Sequence, residues 1–487
     1  MIMPISTNTT IAICVQIHVG DTVTQRTAGH AALRTRAVTY RVRMAGRLNR
    51  PAGRRVAAAV GLALVAWLVA SGAAHGAGRA RGAAAPPLGG VNVIGLYSGS
   101  TLLTADREIA TARKLHARVV RAELRWSTLE PLHPGQISAG ALAFTDRLVA
   151  DAAAAGIRVI FTIDSTPCWE SSAPTALLAR CVADKDTAAN AWPPREAAAY
   201  AAVAAYVARR YGAQLAAIEV WNEPDQRNQL YFAGPQKAQR YAVILRAAYA
   251  AIKQANPVVP VLGGSIVGSN GAFLRALYAA GIKGYYDGLA VHYYGLVLAS
   301  LRAIREVQLA NGDSRPLWLD EFGWSSCYPA QRVQEEQACV TTGIQARNLA
   351  DVVQSLSGTP WVAAEVVYDL QNAPHENFGL TTAYGGRKPA FSALAQAFSR
   401  PLAGPHAVTL SLRRRGGRVL ASGSGPVGDY MQLDAFVGGV LRYRALFILD
   451  RFDRYSIALP AVLGTSGLQV RVFQYWAGPA RGAAAGI

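Results

Sequence analysis

From about Val91 onward, short apolar runs alternate with longer amphipathic stretches. The runs are VNVIGLY, ARVVRAEL, GIRVIFTID, LAAIEVWNE, VPVLGGSIV, YDGLAVHYY, PLWLDEFGW and VAAEVVYDL. Between them lie segments with helical spacing, among them ADREIATARKLH, FTDRLVADAAAAG and QKAQRYAVILRAAYAAIKQA, with Gly156 and Gly212 where helices should stop. Eight strands, each followed by a helix, predict a (β/α)8 barrel over residues 87–400. A doubly wound open sheet is the competitor, but GLYSGSTL after the first strand is not a glycine-rich phosphate turn. After Arg400 the period shortens. AVTLSLRRRGGRVLASGSG, LRYRALFILDRFDRYSIALP and LQVRVFQYW alternate apolar and polar residues around Gly turns, which predicts an antiparallel β-sandwich over 401–477. The last stretch, 478–487, reads as a disordered tail.

The region ahead of this pattern has a different character. Arg54 and Arg55 precede an apolar run from Val56 to Ala70 and then small residues, the layout of a secretory signal. The run falls short of the ~20 residues a membrane span needs, so stable insertion is expected only if the segment stays uncleaved as an anchor. Because this run begins late, Met44 is the expected true start, and 1–86 is read as leader and linker. The leader also accounts for much of the charge. Residues 1–81 hold eleven Arg and one acid, leaving +9 of the net +19 for the rest. No basic run with interleaved aromatics follows, so a nucleic-acid partner is not expected. Beyond Cys14, the cysteines form two local pairs, Cys168/Cys181 and Cys327/Cys339. In an exported chain these predict two disulfides; zinc is the alternative, but the spacing is not CxxC and no His lies nearby.

Barrel enzymes carry their chemistry at the carboxyl ends of strands. There the fourth strand ends in Glu223 and the seventh in Glu321. The sixth ends in HYY with His292 and Tyr294, the second carries Arg121 and leads to Trp126, and the eighth ends in Tyr368. Period-two alternation predicts that Glu219, Trp221 and Glu223 share one face. It likewise groups Leu317, Leu319 and Glu321, with Asp320 turned away from the axis. Two carboxylates across one barrel mouth suit glycosidic bond cleavage. Trp126, Trp169, Trp221 and Trp324 could stack on sugar rings or simply pack the core. Glu219 reads as a buried partner for an Arg, and Glu130 as a loop residue.

EVWNEPD, then HYY, then DEFGW about a hundred residues later resemble the clan A glycoside hydrolases, and TPCWE and FGLTTAYGGRKPAFSALAQ resemble family 39-like and family 5-like members. The resemblance covers roughly Val91 to Ser399. It implies a retaining (β/α)8 glycosidase with Glu223 as acid/base and Glu321 as nucleophile. Asn222 would bind the sugar 2-hydroxyl, Tyr294 and His292 would stand beside the nucleophile, and Arg121 would keep Glu321 ionised while Glu223 is protonated. Trp126, Trp169, Trp324 and Tyr368 become candidate substrate contacts. Asp320 stands where relatives often have Thr, and the eighth strand ends in VVYDL where family 5 commonly has Trp. The expected partner is a carbohydrate, with no cofactor and no metal, in a secreted or periplasmic setting. A non-catalytic carbohydrate-binding protein on the same barrel is the alternative. A Ser/His/Asp hydrolase lacks its Gly-x-Ser-x-Gly elbow. The sugar, the linkage and the oligomeric state are not readable from these patterns.

Overall fold

The computed structural model describes residues 85–487 apart from 94, 97–100, 330–338, 374–375 and 402. The expected signal segment, Met44 and Cys14 lie outside the described residues. Eight parallel strands close into a barrel: β1 (Leu88–Asn92), β2 (Val119–Arg125), β3 (Arg158–Asp164), β4 (Leu215–Val220), β5 (Val261–Ile266), β6 (Gly288–His292), β7 (Leu317–Phe322) and β8 (Val362–Val367), with β8 pairing back onto β1. The (β/α)8 fold expected from the alternation is therefore present. The first strand begins earlier than the apolar run suggested, because Leu88–Gly90 already pair with Ala364–Val366.

The barrel interior has two layers, set by the two-residue period of each strand. Val119, Ile160, Ala217, Leu262, Ala290, Trp318 and Ala364 pack together in the lower, apolar layer. Two residues further along the same strands stand Arg121 after Val119, Thr162 after Ile160, Glu219 after Ala217, His292 after Ala290 and Asp320 after Trp318, all at most 2% exposed. The apolar layer is a floor, and the polar layer is the site. The outward residues of the strands, such as Val120, Phe161, Ile218, Leu289, Leu317 and Leu319, join the core shared with the surrounding helices.

This layering corrects the reading of β7. Trp318 and Asp320 point inward, while Leu317 and Leu319 pack outward. The pairing of β7 with β8 is irregular at both ends, between Leu317 and Trp318 and between Leu319 and Phe322. These irregularities allow Asp320 and Glu321 both to reach the polar interior, which strict alternation forbids.

Residues after Arg400 form two antiparallel sheets. One has the order β13 (Arg454–Ala458), β10 (Arg418–Ser424), β9 (Ser411–Arg415). The other has the order β12 (Val440–Phe447), β11 (Met431–Val437), β14 (Leu468–Gln474), β15 (Ala483–Gly486). Val419, Ala421, Leu433, Ala435, Val470 and Val472 form the core between them. The expectation of a disordered tail is overturned: Gly482 follows a short turn, and Ala483–Gly486 pair with Gln469–Val472. Alanine and glycine carry no apolar signal, so the pairing was invisible in the pattern. The sandwich is tied to the barrel by Arg302, which donates to both oxygens of buried Asp429 at 3.1 and 2.8 Å and lies 4.6 Å from the Tyr475 ring. Two disulfides, Cys168–Cys181 and Cys327–Cys339, have Cα separations of 5.7 and 4.9 Å, as the pairing by sequence predicted.

The floor of the barrel depends on small residues opposite Trp318. A Cβ on Gly288 would lie 2.5 Å from the Trp318 ring and 3.0 Å from Leu262. Gly288→Ala is expected to cost roughly 1–3 kcal/mol by overpacking, measured by urea denaturation. Wild-type stability in that variant would show that the floor is loosely packed.

Candidate active site

The site is organised around one guanidinium. Arg121 is 2% exposed and donates from Nε to Glu219 (2.8 Å), from one terminal nitrogen to Asn92 (3.0 Å) and Glu321 (2.8 Å), and from the other to Asn222 (2.8 Å). Asp320 lies 3.5 Å from Nε. Asn92 in turn donates to the carbonyls of Asp320 and Val367, locking β1 to β7 and β8. Glu219 also accepts from the hydroxyls of Thr162 and Ser265, so its role as an arginine partner is as expected.

The turn after β4 places Asn222 and Glu223. The strand stops at Val220, and Trp221 and Glu223 adopt φ values of 70° and 41°. Side chains rarely accept this region, at a cost on the order of 1–3 kcal/mol each, so the surroundings must hold it. They do. Tyr241 donates to the Val220 carbonyl at 2.8 Å, and Asp225 accepts from the backbone of Val267 and Gly268 at 3.1 and 2.8 Å. The distorted turn sends Asn222 and Glu223 inward and Trp221 outward. Trp221 is fully buried against Tyr200 and Phe232, its indole N–H donating to the Tyr231 carbonyl. The shared face expected for Glu219, Trp221 and Glu223 thus fails at Trp221, because the alternation ends one residue before it.

Across the mouth, Glu321 accepts from Arg121 on one oxygen and from the Tyr294 hydroxyl on the other, at 2.9 Å. His292 stands between the two acids. Its Nδ1 is 2.9 Å from Glu223 and 3.3 Å from Glu321, while Nε2 faces Asp320 at 3.6 Å. Gln226 donates to the second oxygen of Glu223 at 2.8 Å. Oxygens of Glu223 and Glu321 lie within 4.8 Å of each other. The trio Glu223–His292–Glu321, and equally Glu219–His292–Asp320, is compact enough to hold a cation.

Charge in this cluster is distributed differently from the sequence expectation. Burial pushes Glu321 up, and His292 and Arg121 only partly offset it. Burial also pushes Glu223 up, but the hydrogen bond and charge of His292 outweigh it and hold Glu223 below the usual range. The expected order, a high acid/base and a low nucleophile, is reversed in the empty site. The reason is His292: despite its burial, the two glutamates raise its affinity for a proton. Asp320 is pushed well up by burial and by Glu219. Glu219 is held at about 2, its burial overcome by Arg121 and by the Asp320 proton.

The aromatic candidates divide. Tyr368 packs beside Tyr294 with ring centroids 6.4 Å apart, and its hydroxyl donates to Glu376 at 2.8 Å. Trp126 is fully enclosed, with Trp169 and Tyr200 edge-on at 5.6 and 5.9 Å and its N–H on Glu130, so it is core and not a sugar platform. Trp324, 7% exposed, is also core. Trp169 is half-buried against Trp126 and donates to the Glu130 carbonyl. Sequence reasoning missed Asn92, Gln226 and the inward Asp320. A polar residue closing the run LGGVN is the one local signal that Asn92 carried.

Residues 185–381 match the family model for the glycosyl hydrolase catalytic core. That segment contains Asn222, Glu223, His292, Tyr294 and Glu321. No curated protein matches the chain. Among solved structures, a family 39 glycoside hydrolase from the gut symbiont Bacteroides cellulosilyticus WH2 superposes with a TM-score of 0.50 at 17% identity, over 80% of this chain and 81% of that one. A family 39 enzyme from Xanthomonas axonopodis pv. citri gives 0.49 at 16% over 78% and 93%. A family 39 β-xylosidase from Caulobacter crescentus gives 0.47 at 18% over 73% and 84%. In fold and matched segment the chain resembles the clan A glycoside hydrolases, family 39 among them.

Glu219 titrates at about 2 in the fold against 4.5 when free. Its ion pair therefore stabilises the protein above pH 4.5, and the contribution fades as pH falls toward 2. Glu219→Gln is expected to lose roughly 3 kcal/mol at pH 7, with the gap to wild type narrowing across that acid window in thermal melts. A gap that is constant with pH would show that Glu219 is not ionised.

Proposed function

We propose that this protein is a retaining glycoside hydrolase that cleaves β-glycosidic bonds of a poly- or oligosaccharide by double displacement, with Glu321 as nucleophile and Glu223 as acid/base. The observation that carries this reading is the approach of the two carboxylates to within 4.8 Å, oxygen to oxygen, across the barrel mouth. Retaining enzymes set their carboxyl groups about 5–5.5 Å apart, whereas inverting ones need roughly 6.5–9.5 Å to admit a water.

Glu321 attacks the anomeric carbon as Glu223 gives its proton to the departing oxygen. Water activated by Glu223 then releases the sugar from the Glu321 ester. Arg121 and Tyr294 hold Glu321 from both oxygens, so its direction of attack is fixed before substrate arrives. Asn222, pinned by Arg121, has its amide nitrogen for the sugar 2-hydroxyl. His292 Nδ1, 2.9 Å from Glu223 and 3.3 Å from Glu321, is placed to exchange a proton with either acid. The two disulfides fit an oxidising, extracytoplasmic setting, and no helix among the described residues is long and apolar enough to cross a membrane.

On a panel of aryl β-glycosides and polysaccharides, Glu223→Gln is expected to lower kcat by roughly 10²–10⁴-fold and Glu321→Gln to abolish turnover. A 2-deoxy-2-fluoro glycoside should leave its sugar on Glu321, read by peptide mass spectrometry. Hydrolysis that survives both substitutions would sink the assignment of Glu223 and Glu321, and wild-type protein that binds these sugars without cleaving them would leave the carbohydrate-binding alternative.

A further inference from the structure

Beside the catalytic pair, a cavity of about 640 Å³ opens among the segments that follow β2, β3 and β4. Arg125, Asp164, Asp186, Trp192, Leu230 and Tyr231 are among the residues that line it. Its size is that of a small-ligand site. It also adjoins the turn that carries Glu223: the carbonyl of Tyr231, on its wall, accepts from the Trp221 indole at 2.8 Å.

Among the described residues that line the cleft, Arg125 is the one guanidinium, and that group pairs with Asp186 at 2.7 Å and stands 3.9 Å from Glu123. Asp164 remains. It closes β3, is 4% exposed, and its Oδ1 is sealed from solvent with no hydrogen-bond partner among the described residues. The groups acting on it are Glu123 and Arg125 from the adjoining β2, Arg121 below and Asp186 in the loop above. Burial, then the charge of Glu123, drive Asp164 up to about 8, and the two arginines do not overcome them. A buried carboxyl without a partner is costly and needs a structural or functional reason. The β2–β3 ladder does not supply one, since it is made by backbone groups. A cationic group delivered by a ligand would supply it, because an ammonium would pair with the Asp164 carboxylate.

We propose that this cleft is a saccharide subsite that selects a free amine, with Asp164 pairing the ammonium of a non-acetylated amino sugar. The inference rests on the glycosidase reading and extends it to substrate class. Trp192 and Tyr231 offer aromatic surface for the ring, and Asp164 reads its substituent. An N-acetyl group removes the charge, and a plain hydroxyl never carries it.

The test is calorimetric titration of full-length Glu321→Gln protein at about pH 6 with chitosan tetrasaccharide, chitin tetrasaccharide and cellotetraose. The chitosan oligomer is expected to bind roughly tenfold or more tighter than the other two, and adding Asp164→Asn should erase that preference. Should Asp164→Asn fail to fold, titration in two buffers of different ionisation enthalpy reads the same event with Asp164 intact. About one proton should leave as the ammonium converts the Asp164 carboxyl to carboxylate. Equal affinity for the three sugars, no binding of the chitosan oligomer, a preference that survives Asp164→Asn, or binding without proton release would each overturn the assignment. Hydrolysis by the Glu321→Gln protein is assayed alongside. Retained turnover there defeats the reading of Glu321 as nucleophile, whereas lost turnover with equal binding defeats the amine assignment alone.

Discussion

A guanidinium cannot shed its proton inside a protein, so whatever surrounds a buried one must supply the opposite charge. Arg121 imposes that demand at the centre of the barrel. Asn92, Glu219, Asn222 and Glu321, from β1, from β4 with its turn and from β7, meet on its nitrogens. The positions of these three stretches are therefore coupled: moving any one of the four side chains leaves a donor of Arg121 unpaired. The strained turn after β4 is tolerable for the same reason. Asn222 is held from below by Arg121, while Asp225 ties the loop to the segment after β5.

The cluster contains more acid than base. Glu219, Glu223, Asp320 and Glu321 face Arg121 and His292, so they cannot all be ionised without a cation to spare. The settlement is unequal. Glu219 is held low by Arg121, Asp320 is pushed up by burial and by Glu219, and His292 bridges Glu223 and Glu321. Titration of the last three belongs to the group and not to any member.

Much of this architecture was readable from the chain. The alternation of apolar runs with helical spacing gave the barrel, because closed parallel sheets leave that period in sequence. Glu223 and Glu321 stood out because both close largely apolar runs, LAAIEVWNE and LWLDE, at the carboxyl ends of strands. What failed did so where the period itself breaks. Asp320 and Trp221 were assigned to the wrong faces because one lies beside a register irregularity and the other just past a strand end. Trp126 could not be told from a sugar platform, since an indole under a site and one beside it look alike in sequence. The charge order of the two glutamates was beyond reach for another reason. It depends on a histidine some seventy residues from one and thirty from the other, and on burial that only the assembled barrel produces.

The short strand β15 has a consequence of its own. Without it, β14, with the sequence LQVRVFQ, would stand at the rim of its sheet with a row of unpaired amides and carbonyls. Such a rim is a template for another chain, and β-branched, apolar sequences make it a strong one. Ala483–Gly486 pair along that rim, so the seven-residue edge of β14 is replaced by one of four residues, and a short edge offers a shorter template.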